Sequence, residues 1–465
     1  MEFAQAAVPP SRRDKLTAVG LTLLLIVLAL TALLGAKPPT PSYAGYPREL
    51  GRVTFVAAGD VIPHQAVVQA ATAFSQVSTP SLPSPLPAPP APPPAAGNHD
   101  GWDPLFGEVA EVFRRADFGF VNLETPVAPH SSRGAQPFQF VAPVALLEAL
   151  KFSGVKLVSF ANNHVFDQGQ AGFAETLEHL GAAGILAAGA GSNAAAAWRP
   201  VIVEKNGIKV GWLGMTRWLN GHRNPEREAD PHVAFVPYPG EADGAPGLTE
   251  AEVIEAVKAA RAQCDLLVVS IHWGVEYAPA PRPQDVSFAH AMLEAGASAI
   301  IGHHPHVLQP IETYLTQDQR TAVIFYSLGN FLSNQSRFYV NGLMPDRTGE
   351  PRDSLLVKFA VVKKDYGPAG VRAELAGVGI LPAWTENNDL LFRSGQAPSR
   401  VIRPILMDRE LPRLQVRLDE LARLGDQASA DDKKEMLRLA RALELLRHRR
   451  ELLLERTGDE FLVAP

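Results

Sequence analysis

The stretch Ala299-Ile300-Ile301-Gly302-His303-His304-Pro305-His306-Val307-Leu308-Gln309-Pro310 decides how the rest of the chain is read. An apolar run leads into it, and His303, His304 and His306 follow within a few residues, out of thirteen histidines in the chain. That pattern predicts a buried strand that opens into a loop at its carboxyl end, where open α/β sheets place their sites. Pro305 fixes its own φ and biases His304 towards an extended conformation. His304 and His306 are then presented to one point at a fixed spacing. Neutral imidazole is the commonest protein ligand for a transition metal. Taken alone, the stretch also fits a histidine-rich surface loop.

Working outward, the same design recurs. Asp265 to Ile271 is an apolar run that delivers His272, and a helix from Gln284 to Ala295 leads from it to the opening stretch. Ala322 to Tyr326 is a further strand with a polar end at Ser327 and Asn330. Upstream, Val155 to Phe160 ends in Asn162-Asn163-His164, with Asp167 close behind. Before it, a strand ends in Asn122-Leu123-Glu124, whose polar side chains point the same way in an extended chain. Before that, Arg52 to Ala58 ends in Gly59-Asp60, a carboxylate behind a glycine that permits close approach. An ordinary helix N-cap is the other reading of Asp60. Asp60, Glu124, Asn163, His272, His304 and His306 lie mostly far apart in sequence but share one local context, a strand end.

The flanking regions differ. Residues 16–36 are an almost wholly apolar run, uncharged from Thr17 to Ala36, preceded by Arg12, Arg13 and Lys15. About twenty such residues span a bilayer as a helix, and the basic flank stays in the cytoplasm. Residues 1–15 are then cytoplasmic, 16–36 a single-pass anchor, 37–51 a linker, and the remainder lies outside the cell membrane. A cleaved signal peptide is the alternative, and it exports the remainder too. Residues 78–97 are rich in Pro, Ala and Ser and read as a disordered insertion within the domain. Residues 217–247 are irregular, a candidate lid or rim. Lys205-Asn206-Gly207 marks a hairpin turn, and Thr249-Glu250-Ala251-Glu252 has the capping-box pattern. Residues 405–462 carry two leucine-rich stripes of helical period around a polar break, which predicts a helical hairpin. Its short basic run Arg447-His448-Arg449-Arg450 reads as a solvated face.

With 465 residues, 46% of them hydrophobic, the chain can bury a full core, and a net charge of −6 offers no basic field for nucleic acid. The single cysteine, Cys264, excludes an intramolecular disulfide and a thiolate zinc cage.

Taken together, Gly59-Asp60, Asn122-Leu123-Glu124-Thr125-Pro126, Asn162-Asn163-His164-Val165-Phe166-Asp167-Gln168-Gly169, His272-Trp273-Gly274-Val275-Glu276, Gly302 to Pro310 and Ser327-Leu328-Gly329-Asn330-Phe331 resemble the successive motifs of the CapA family. These are bacterial poly-γ-glutamate capsule biosynthesis proteins, and the family in turn resembles calcineurin-like metallophosphoesterases. The resemblance implies an α/β fold over residues 52–385, a sandwich of two mixed β-sheets flanked by helices. It implies one or two divalent metal ions at the strand ends. Asp60 would bind the first and Glu124 would bridge; Asn163, His272 and His304 would bind the second, and His306 would return to the first. His164 would stand outside the ligand set to protonate a leaving group or stabilise charge, oriented by Asp167. Asn122, Glu276, His303, Ser327 and Asn330 would support the site or touch substrate.

Two positions depart from the phosphoesterase pattern. Ile62 stands where Asp-x-His places a histidine, the next one being His64, and Glu124 stands where an aspartate usually bridges. Nitrogen and oxygen ligands without thiolate suit Mn, Fe or Zn. The expected function is a membrane-anchored hydrolase or transferase acting on an envelope polymer such as poly-γ-glutamate or on a phosphoester. Its expected partners are that anionic polymer, the membrane and other capsule synthesis or export membrane proteins, with no nucleic acid. A non-enzymatic export factor that grips the polymer through its metals is the competing class. A secreted nucleotide phosphodiesterase is a third.

Overall fold

The computed structural model describes residues 21–24, 26, 45–75, 99–134, 136–240 and 247–465. The expected cytoplasmic segment 1–15, all but five residues of the expected anchor 16–36, the linker up to residue 44 and the Pro-rich insertion 78–97 lie outside the described residues. Among the described residues, no helix is long and apolar enough to cross a membrane.

In chain order the strands are β1 (Arg48–Val61), β2 (Phe118–Leu123), β3 (Val155–Ser159), β4 (Leu186–Ala188), β5 (Ala190–Gly191), β6 (Val201–Lys205), β7 (Ile208–Thr216) and β8 (His232–Val233). They continue with β9 (Leu266–His272), β10 (Ala299–His303), β11 (Ile311–Leu315), β12 (Thr321–Phe325), β13 (Asn330–Leu332), β14 (Asp353–Asp365), β15 (Val371–Asn387) and β16 (Ile402–Leu406). One sheet has the order β16-β15-β14-β1-β2-β3-β4, with β13 also paired to β1. The other has the order β11-β12-β10-β9-β7-β6. β1 to β4 run parallel, as do β7, β9, β10 and β12. Antiparallel strands complete the edges, β16 in the first sheet and β6 and β11 in the second. Both sheets are therefore mixed.

The apolar runs of the sequence arise because each sheet is covered on both faces. In β1, Val53, Phe55 and Ala57 point into the core between the sheets, with Phe120 and Trp212. Val56 and Ala58 point the other way, towards the helices Asp103–Arg115 and Ala145–Ser153. In β9, Leu266 and Val268 face the inner core, while Leu267, Val269 and Ile271 face the helices Glu250–Arg261 and Pro283–Glu294. The result is a helix–sheet–sheet–helix sandwich. The turn at Asn206 and Gly207 has positive φ at both residues, as a type I′ hairpin requires. Thr249 and Glu252 form a complete capping box.

Two boundaries differ from those expected from sequence. β1 begins at Arg48, inside the expected linker, and the sheet continues past residue 385 through β15 and β16. The reason is strand pairing: Asn387 stands opposite Ile402, and Ala383 opposite Leu406. Contact density sets a small unit, Met1–Arg48 with Asp365–Gly370, apart from the remainder, Glu49–Lys364 with Val371–Pro465. In the small unit Arg48 pairs with Asp365 at 3.2 Å.

The C-terminal helices Met407–Ala422 and Ala430–Thr457 are joined by a short turn, with Ser429 and Asp432 capping the second. Leu414, Leu421, Leu439, Leu443, Leu446 and Leu453 join the inner core with Ile380 and Trp384. The basic run is not a solvated face. Arg449 is fully buried: its Nε and Nη2 donate to the two oxygens of Asp353, and its Nη1 donates to the Asp346 carbonyl at 2.9 Å. Its neighbours are also engaged, His448 with Asp346 and Arg450 with Asp408. Helical period turns Arg449 towards the core, where a carboxylate awaits it.

Candidate metal centre

The parallel strands of both sheets end at one place. Asp60 ends β1, Asn122 and Glu124 close β2, Asn162 to His164 follow β3, His272 ends β9, and His303 to His306 leave β10. All are buried, although most are polar or ionisable.

Close packing of backbones makes this convergence possible. A Cβ on Gly59 would lie 1.9 Å from the Gly329 carbonyl oxygen, and one on Gly302 would lie 2.1 Å from that of Tyr326. Only glycine fits at either position. Gly59→Ala is therefore expected to destabilise the fold by about 1–3 kcal/mol through overpacking. A urea midpoint equal to that of the wild-type chain would contradict this.

Asn122 is the hydrogen-bonding hub. Its Nδ2 donates to Asp60 Oδ1 at 2.8 Å and to Glu124 Oε2 at 3.3 Å, and it lies 3.4 Å from His272 Nδ1. Asn162 braces it, donating to Asn122 Oδ1 at 3.3 Å and to the Leu123 carbonyl at 2.8 Å. Asp60 Oδ2 lies 3.2 Å from His306 Nδ1. His303 Nδ1 lies 3.1 Å from Asp60 Oδ1 but is not aligned for a hydrogen bond, and neither ring nitrogen of His303 has a hydrogen-bond partner among the described residues.

Glu124 Oε1 is the focus of the site. It is buried without a hydrogen-bond partner among the described residues. Around it stand His272 Nε2 at 3.7 Å, His306 Nε2 at 3.8 Å and His164 Nε2 at 3.9 Å. These separations are too long for hydrogen bonds. They are the separations of ligand atoms that share an ion, each about 2.0–2.2 Å from it. Two sets of donors close enough to hold one ion overlap at Glu124: Glu124 with His304 and His306, and Asp60 with Glu124 and His272. Asn163 Oδ1 lies 2.9 Å from His272 Nε2 and adds an oxygen beside the second set. The donors fit a divalent metal.

The electrostatics agree. Burial raises the Glu124 carboxyl well above the usual carboxylate range, and the charges of Asp60 and Glu276 add to it. Burial opposes ionisation of Asp60, but His303 and His306 hold it well below that range. Burial and then the His304 charge hold His272 well below an ordinary imidazole. Burial and then the His306 charge hold His304 down to about 3. Neutral imidazoles are the form that ligates metal.

His304 is not extended, contrary to the expectation from Pro305. Its φ is 95°, and that of His306 is 59°. Such values strain a residue with a Cβ, and the surroundings must hold them. Tyr277 N–H donates to the Pro305 carbonyl at 2.8 Å, and Asn330 Nδ2 to that of His306 at 3.3 Å. The turned backbone sets His304 against His272, with ring centroids 4.7 Å apart.

The remaining expected residues have distinct places. His164 Nδ1 lies 2.9 Å from Asp167 Oδ2, which also accepts the Phe140 N–H at 2.6 Å. The network assigns the proton to Nδ1 and turns Nε2 to the centre. Ser327 and Asn330 are buried and brace loops: Ser327 Oγ accepts the Gly329 N–H, and Asn330 donates to the His306 and Pro351 carbonyls. Glu276 is exposed at the rim and is not gathered with the buried donors. His64 is not in either donor set; its Nδ1 lies 3.1 Å from the Ile62 carbonyl and accepts the Asn334 N–H at 3.2 Å. Sequence reasoning left out Asn162, although it stands inside a quoted motif. It also left out Asn220, whose Oδ1 accepts from Asn163 Nδ2 at 3.2 Å and which belongs to the irregular segment 217–247.

Two mixed sheets with a buried cluster of acids and histidines at their shared strand ends define an α/β protein with a candidate metal centre. The model described as "Bacterial capsule synthesis protein PGA_cap" matches residues 54–335, and the chain belongs to that family. It is 32% identical over 243 residues to the capsule biosynthesis protein CapA of Bacillus anthracis, covering 51% of this chain and 56% of that protein. It is 31% identical over 276 residues to the PGA biosynthesis protein CapA of Bacillus subtilis (strain 168), covering 57% and 63%. The chain thus spans less than two thirds of the length of either relative. A candidate 5'-nucleotidase from Staphylococcus aureus, solved in complex with alpha-ketoglutarate, aligns at 13% identity with a TM-score of 0.38, covering 71% of this chain and 54% of that one.

Proposed function

We propose that the chain is a metal-dependent hydrolase or transferase of metallophosphoesterase type that works outside the membrane on an envelope polymer, poly-γ-glutamate or a phosphorylated precursor of it. The unpartnered Glu124 Oε1 at the meeting point of three imidazoles carries this reading. Glu124, His304 and His306 would hold one ion, and Asp60, Glu124 and His272, with Asn163 beside His272, would hold another. Relative to the assignment implied by the resemblance, this moves His272 and Asn163 to the ion of Asp60 and His306 to that of His304, because the donor atoms close enough to share an ion are those of Glu124, His304 and His306 and those of Asp60, Glu124 and His272. Donors of nitrogen and oxygen without sulfur suit Mn, Fe or Zn. Bound there, the ions supply Lewis-acid activation of the reacting group and of the attacking water. The chain supplies the rest: Asn122 fixes both carboxylates, Asp167 holds the Nδ1 proton of His164, and His164 Nε2 takes a proton from the attacking water and passes it to the leaving group, with Asp167 as counter-charge to the imidazolium between the two transfers. The apolar run 16–36 tethers the domain at the outer face of the membrane.

Elemental analysis of the full chain after growth with Mn, Fe and Zn tests this. About two ions per chain are expected, one lost in His304→Ala and both in Glu124→Ala. An equal metal content in Glu124→Ala and wild type would sink the proposal. The second reading, a metal-dependent grip on the polymer without bond chemistry, draws support from Ile62, which removes one potential ligand.

A further inference from the structure

The loop that leaves β13 carries a cation without a carboxylate partner among the described residues. This loop is tied to the centre at three points. Asn334 N–H donates to His64 Nδ1 at 3.2 Å. Asn330 Nδ2 donates to Gln335 Oε1 at 3.0 Å. The same amide donates to the carbonyl of His306 at 3.3 Å. Ser336 then turns through a positive φ of 54°, and Arg337 follows.

Arg337 forms no ion pair among the described residues. Its Nε is buried without a hydrogen-bond partner, and its guanidinium lies 4.5 Å from the centroid of the Phe338 ring, which is half exposed. A buried donor left unmade is unfavourable, more so when charged. Other arginines near the site have carboxylate partners, Arg217 with Glu250 and Arg282 with Asp285, although Arg217 Nε, like Arg337 Nε, is buried without a hydrogen bond among the described residues. The imidazole of His64 feels the Arg337 charge together with those of His306 and His164, after the larger effect of burial.

We propose that Arg337 is the substrate-binding subsite for an anionic group, a carboxylate or phosphate held in bidentate fashion beside the metal centre. A planar guanidinium without a carboxylate partner among the described residues matches such groups in geometry and charge. A γ-linked glutamate chain keeps a free α-carboxylate at every residue, so the residue next to the reacting bond offers one. The choice of this substrate rests on the function proposed above; the anion subsite rests on Arg337 and its loop.

The test uses the full, metal-loaded chain and a γ-linked glutamate pentamer in calorimetric titration. Arg337→Gln is expected to weaken binding about tenfold or more, with metal content and thermal midpoint unchanged, and Arg337→Lys to fall between. A pentamer with amidated α-carboxylates should bind the wild-type chain no better than the free acid binds Arg337→Gln. Equal affinity of wild type and Arg337→Gln for the free-acid pentamer overturns the subsite. So does failure of the metal-loaded wild type to bind either the pentamer or glycerol 2-phosphate. Arg337-dependent binding of glycerol 2-phosphate alone upholds the subsite and removes the polymer as its ligand. Arg337-dependent binding by a chain that takes up no metal upholds the subsite and removes the metal centre.

Discussion

His164→Ala is expected to keep its metal and to lose turnover by roughly 10²–10⁴-fold, the usual worth of a positioned proton carrier. The geometry makes both halves of this result specific. His164 Nε2 is 3.9 Å from Glu124 Oε1, but His164 belongs to neither of the two overlapping donor sets. Its ring packs on Phe140 at 4.4 Å and its Nδ1 is held by Asp167, so on the proposed function the variant would lose the proton carrier and leave both donor sets standing. Asp167→Asn should cost less, since the amide oxygen can still accept from Nδ1, while the imidazolium loses its counter-charge. The measurement is turnover of γ-glutamyl anilide and phosphomonoester substrates, beside metal content on the same samples. Unchanged turnover in His164→Ala would remove this role. Metal and polymer binding intact in both proteins, with turnover in neither, would favour the polymer-gripping reading.

The second large effect lies away from the centre. Arg449→Ala is expected to destabilise the chain by about 3–5 kcal/mol at neutral pH, because it leaves the buried Asp353 carboxylate without its partner. Burial already raises Asp353 to about 6, with Arg449 the main opposing influence. A folded pKa above the unfolded value means that the folded state holds its proton more tightly between the two. Stability from this group is therefore full below about 4 and falls as pH rises to about 6. Without Arg449 the folded pKa rises further. The deficit of the variant should then be largest at pH 7 to 8 and shrink as pH falls towards 5. Urea unfolding across that range checks the trend, and a deficit independent of pH would contradict it. Arg449→Met with Asp353→Leu should recover much of the loss, because an apolar pair removes both buried charges.

The strand ends were legible in sequence because a buried parallel strand is a run of apolar residues, and a polar residue at its end is conspicuous. Asp60, Glu124, His272 and His306 stand out for that reason. Their pairing into donor sets was not legible, since it depends on how two sheets cross. The local rule for the residue before proline failed at His304, where the Tyr277 and Asn330 hydrogen bonds hold a positive φ that no local preference favours. Arg449 was misread for a related reason. Four adjacent polar residues on a helix point in all directions, and one of them must face inward. Arg337 gave no signal at all: a lone arginine in a loop is ordinary until its missing counter-ion is seen.

β1 lies in the interior of the first sheet, with β2 on one side and β14 on the other. β2 is made soon after β1, but β14 begins only at Asp353. At ribosomal rates that interval is on the order of tens of seconds. Throughout it the nascent chain presents a long apolar strand with one row of backbone donors and acceptors open, a template for pairing with other chains. A chain truncated before residue 353 leaves that edge open except at Asp60 and Val61, where β13 pairs with β1.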